Sequence, residues 1–188
     1  EAWDSFKKRY GDVAGGAHAQ AHIFGELLFE IEGIKGVAIC DSSFGFGCYH
    51  SFFGKAISTH GLSVLTELDK ACVARWGAKG LGCQHGIGHG VLWFLDTPKL
   101  DQALEECSKL SWKEPIGGCS SGVFMEYNFH TMADPDLTEP RAFNSAKPHT
   151  PCDAVAKQFE QACYFEQPHW WNHVLKRDAK KVGSLCHE

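Results

Sequence analysis

"LGCQHGIGHGVL", residues 81 to 92, is a run of glycine and apolar side chains that should be a buried helix, yet it carries His85 and His89 four residues apart. On a helix, positions i and i+4 stand one above the other, about 6 Å apart, so both imidazoles share a face. Glycine inside a helix costs about 0.5–1 kcal/mol relative to alanine. Gly86, Gly88 and Gly90 therefore predict that another helix, or a ligand, comes very close.

The same step recurs along the chain: "FGCYHSFFGKAI" at 46–57, "GGCSSGVFMEYN" at 117–128 and "QACYFEQPHWWN" at 161–172. Cys48, Cys83, Cys119 and Cys163 follow one another at intervals of 35, 36 and 44 residues, the range of helix-turn-helix repeats. Between these starts lie second helices with apolar residues at i, i+3 and i+4, "SVLTELDKACVARW" at 63–76 and "LDQALEECSKL" at 100–110. Thr97 reads as the N-cap of the latter, with Pro98 at its first position. "AHAQAHIFGELLFEI" continues the helical pattern upstream without a cysteine. The stretch 133–151, with four prolines, reads as a surface loop that lengthens the last interval. The expected fold is all-α: one domain over residues 1–188, a right-handed solenoid of units of about 35 residues.

The cysteines explain how such units are held. Eight of the nine fall into near neighbours, Cys40 with Cys48, Cys72 with Cys83, Cys107 with Cys119 and Cys152 with Cys163, and Cys186 is left over. Structural zinc sites usually contain a tight C-x2-C to C-x4-C element, and none exists here. Short-range disulfides follow, and with them an oxidising compartment, periplasmic or extracellular. Chain entropy gives each loop of about ten residues roughly 2–3 kcal/mol of stabilisation. The start at Glu1, without methionine, suggests a mature or trimmed product.

"AICDSSFGFGC" and "GVLWFLDTPKLDQALEECSKL", with this period, resemble the disulfide-stapled Sel1-like αα-repeats of cysteine-rich bacterial proteins over roughly residues 38–120. That resemblance implies a partner-binding solenoid with no shared active site. The chain departs from it by placing histidines where the repeat has small or apolar residues.

A net charge of −5 with no long Lys/Arg run argues against nucleic acid, and no apolar stretch approaches the roughly 20 residues of a membrane span. The sequence contains no G-x-S-x-G, P-loop, H-E-x-x-H or C-x-x-C-H motif.

The histidines carry the functional reading. His18 and His22 repeat the spacing of His85 and His89, and His50, two residues after Cys48, matches His85, two after Cys83. Stacked repeats point equivalent positions the same way, so His18, His22, His50, His85 and His89 should converge on the concave side as metal ligands. Gly25 and Gly54 repeat the association of histidine with a small neighbour. Glu126, one position beyond the place of His89 in the next repeat, is the candidate catalytic carboxylate. His169 and His173 share the spacing, but beside Trp170 and Trp171 they fit a surface or capping helix as well; His60, His130, His149 and His187 read as surface or loop residues.

Imidazole suits copper, iron, zinc or nickel and disfavours calcium and magnesium, which prefer oxygen. The expected protein is an exported, metal-dependent oxidoreductase using copper or iron. The alternatives are a metal store without turnover, a zinc hydrolase with Glu126 as general base, and the partner-binding solenoid.

Overall fold

A computed structural model describes residues 1–11, 17–77, 81–114, 116–132 and 139–187. The described residues form helices and no strand: α1 (Ala2–Tyr10), α2 (Ala17–Glu32), α3 (Gly47–His60), α4 (Leu65–Trp76), α5 (Leu81–Leu95), α6 (Leu100–Ser108), α7 (Gly118–Phe129), α8 (Glu160–Val174) and α9 (Ala179–Leu185), joined by turns, irregular loops and short 3-10 segments. The two predicted second helices are α4 and α6. Gly61 and Gly77, at φ +67° and +69°, end α3 and α4 in the left-handed region that favours glycine. One expected cap is replaced: Thr97 opens a 3-10 turn, Thr97–Lys99, with no side-chain cap, and Asp96 at φ +75° turns the chain into it.

All four expected disulfides are present, Cys40–Cys48, Cys72–Cys83, Cys107–Cys119 and Cys152–Cys163, and Cys186 is free and exposed. Each bond ties the first turn of α3, α5, α7 or α8 to the segment just upstream. α2 packs on α3, and the helices opened by these cysteines follow in sequence order, α3 on α5, α5 on α7 and α7 on α8, while α4 and α6 brace α5 and α6 also meets α7. Phe52, Phe53, Ile57, Leu68, Ile87, Leu104 and Phe124 form the shared core. Buried Asp69 on α4 ties three elements, accepting from Gln84 Nε2 on α5 at 2.6 Å and from Ser111 N and Oγ at 2.8 and 2.9 Å.

Glycine sets how closely the helices cross. A Cβ at Gly88 would overlap the Cys119 carbonyl oxygen, and one at Gly122 the His85 carbonyl oxygen, so α5 and α7 meet backbone to backbone. Gly86 and Gly90 face the other neighbour, lying against Phe53 and Ile57 of α3. The sequence puzzle is thus answered by helix packing on both sides of α5. Because the obstacle at Gly122 is main chain and cannot swing away, Gly122→Ala should destabilise the protein by about 1–3 kcal/mol or more. Chemical denaturation would show this as a lower midpoint; an unchanged midpoint would mean that the helices do not touch there.

The two tryptophans of "QPHWWN" are core residues, 0% and 1% exposed, where the sequence allowed a surface or capping helix. Their indoles hold the described part of the proline-rich stretch: Trp170 Nε1 donates to the Arg141 carbonyl at 2.8 Å and Trp171 Nε1 to that of Pro148 at 3.0 Å. The Arg141 guanidinium lies 3.6 Å from the Trp170 ring centroid. Residues 133–138 of that stretch lie outside the described residues.

Candidate metal centre

The predicted histidines come from three helices, and α3 stands between the two pairs. His18 and His22 lie on α2, His50 on α3, His85 and His89 on α5. Ring centroids connect them into one cluster: His18–His22 4.6 Å, His22–His50 5.4 Å, His50–His89 4.9 Å and His89–His85 4.8 Å.

The tightest group is His18, His22 and His50, each of which offers a ring nitrogen within 4.8 Å of the other two. His22 Nε2 is 3.0 Å from His18 Nε2 and 3.4 Å from His50 Nδ1. Two nitrogens bound to one tetrahedral ion at about 2.0–2.1 Å stand about 3.3 Å apart, so these separations fit a shared ion. This trio can hold a metal.

Local structure fixes which nitrogen of His18 is free. Phe44, Gly45 and Phe46 are successive left-handed residues in a loop closed by the Cys40–Cys48 disulfide. Asp41 braces that loop, accepting from Ser43 N at 2.9 Å and Lys7 Nζ at 2.8 Å. The turn presents the Phe44 carbonyl to His18 Nδ1 at 2.6 Å. A carbonyl only accepts, so Nδ1 carries the proton and Nε2 keeps its lone pair. Gly47 admits α3 over this pair: a Cβ there would stand 2.8 Å from the His18 carbonyl oxygen and 3.2 Å from His22 Cδ2.

His89 is fully buried, and its Nδ1 faces a second set of partners. Glu126 Oε2 lies 3.0 Å away and Thr131 Oγ1 2.6 Å away. Thr131 donates to the same carboxylate oxygen at 2.6 Å and Met132 N donates to it at 3.1 Å. Glu126, 3% exposed, therefore grips His89 with a filled set of donors. Its neighbours Thr131 and Met132 had no sequence signal. His130 at φ +52° caps α7 and folds the chain back, which brings both to Glu126.

Burial sets the electrostatics. Desolvation, aided by neighbouring imidazoles, holds His22 down to about 4 and His85 down to about 3, and pushes His50 well below an ordinary histidine. These rings stay neutral at physiological pH, the form that binds metal. His50 is buried, whereas His18 and His22 are partly exposed. His169 and His173 lie apart, exposed and packed on Phe129.

No known protein family, curated protein or solved structure matches the chain. Its all-helical build with four disulfides is compatible with a cysteine-rich helical repeat. Among the described residues, no helix is long and apolar enough to cross a membrane.

Proposed function

We propose that this is an exported metal-dependent oxidoreductase in which His18, His22 and His50 hold a transition-metal ion, copper before iron. The convergence of three imidazole nitrogens carries the reading. Copper is preferred because the donors are all imidazole and the nearest buried carboxylate, Glu126, is already engaged by His89, Thr131 and Met132. Three protein ligands leave a coordination position for a substrate, and the partial exposure of His18 and His22 gives it an approach from the α2 side. That open position favours turnover over storage. A zinc hydrolase would need a general base, and Glu126 is instead suited to orient His89, as a carboxylate behind a metal-binding imidazole does.

The surrounding architecture is a single domain over 1–188, a right-handed solenoid of roughly 35-residue units, supported by the packing of each cysteine-opened helix on the next. Export is supported by the four disulfides. The Sel1-like, partner-binding reading is favoured by one observation. Ile23, Leu27 and Ile31, spaced by four on α2, are 60%, 50% and 76% exposed and make an apolar stripe.

Elemental analysis of tagless protein after copper reconstitution and desalting tests the reading, and at least one copper per chain is expected. No retained copper, iron or zinc would leave the partner-binding solenoid. The pH dependence provides a second check. With His22 near 4 and His50 held well below the 6.5 of a free imidazole by burial and the neighbouring imidazoles, protons compete for these nitrogens only in acid. Copper should stay bound down to pH about 5, whereas an exposed site would release it near an ordinary histidine pKa. Stability of the metal-free chain has the same sign: the unfolded state takes up protons first, so stability falls as pH drops below 6.5 toward 4. Release centred near pH 6.5 would contradict the buried site.

A further inference from the structure

The trio leaves two imidazoles of the cluster unused. His85 and His89 stand one turn apart on α5 with ring centroids 4.8 Å apart, the same arrangement as His18 and His22 on α2. His89 is 0% exposed and its Nδ1 is taken up by Glu126 and Thr131. Its Nε2 is buried without a hydrogen-bond partner, although buried polar atoms are nearly always paired. A nitrogen fixed in tautomer by a carboxylate at one end and orphaned at the other is arranged as a metal ligand.

His50 lies between the two pairs. Its Nδ1 faces His22 at 3.4 Å, and its ring stands 4.9 Å from that of His89. With Nδ1 committed to the α2 side, Nε2 is the nitrogen that remains for α5.

We propose that His85 and His89 hold a second ion of the same imidazole-binding class, separated from the first by the ring of His50, with Glu126 as the positioning residue that sets His89. The proposal rests on the trio holding the first ion. Its two helical nitrogens are fewer than the three of the trio, so this site fills second. If His50 joins both ions, it gives up its remaining N–H proton to solvent as the second one binds.

The test is a Cu(II) titration of the full chain carrying Cys186→Ser, which removes the exposed thiol, followed by desalting, copper analysis and electron paramagnetic resonance. The parent protein should retain two coppers per chain, with a signal integrating to less than its copper content because two ions across one imidazole couple. His85→Ala and Glu126→Gln are to be compared with it; His85 is partly exposed, and glutamine preserves the shape at 126, so both should fold, which circular dichroism verifies. His85→Ala should retain one copper with a full-intensity signal. Glu126→Gln should weaken the second copper by about 10–100-fold and leave the first unchanged. Retention of a single copper by the parent, unaffected by His85→Ala, would overturn the second site and leave the trio standing. No retained copper at all would overturn both.

Discussion

Alanine at His50 should lower metal affinity by more than about 100-fold, beyond the loss usual for partners that only orient a ligand. His50 supplies the nitrogen nearest His22 from outside α2 and is the ring that touches both helical pairs. Without it, His18 and His22 form a two-nitrogen chelate on a partly exposed helix. Competition with a chelator of known affinity measures the change. His60→Ala, at the exposed end of the same helix, should leave affinity where it was. Equal affinity in both variants would mean that the metal, if bound, sits elsewhere.

Full reduction of the four disulfides should unfold the protein at 37 °C. Each closes a loop of 8 to 12 residues, worth about 2–3 kcal/mol by chain entropy. Four such contributions are comparable with the roughly 5–15 kcal/mol of total stability typical of a domain. The bonded cysteines are 0–3% exposed, so reductant reaches them only after the helices open. Loss of helical circular dichroism and of metal binding should therefore appear together when reductant is combined with mild denaturant. A reduced chain that kept its helices and its metal would show that the core suffices without these bonds.

Much of this was legible along the chain. Cysteine spacing indicated the pairings, because loops of about ten residues closing onto helix starts leave few other partners. Helical periodicity located α2, α4, α5 and α6 near their observed limits, and i, i+4 spacing placed each histidine pair on one face. The Thr97 cap failed because Asp96 and Pro98 favour a tighter turn there. "QPHWWN" was open to two readings because its local pattern does not show that a proline-rich segment folds over the tryptophans and accepts from both indoles.

Residue order along the chain sufficed for an all-helical architecture, its staples, and the presence of paired imidazoles on helices rich in glycine. How those imidazoles are oriented and paired came from long-range packing. The proton on His18 is set by a carbonyl 26 residues away, and His89 is held by Glu126 and Thr131 at separations of 37 and 42. Periodicity reports which side chains share a face within one helix. Which nitrogen is left free to bind depends on where helices cross and turns reverse, and that is fixed by packing between distant segments.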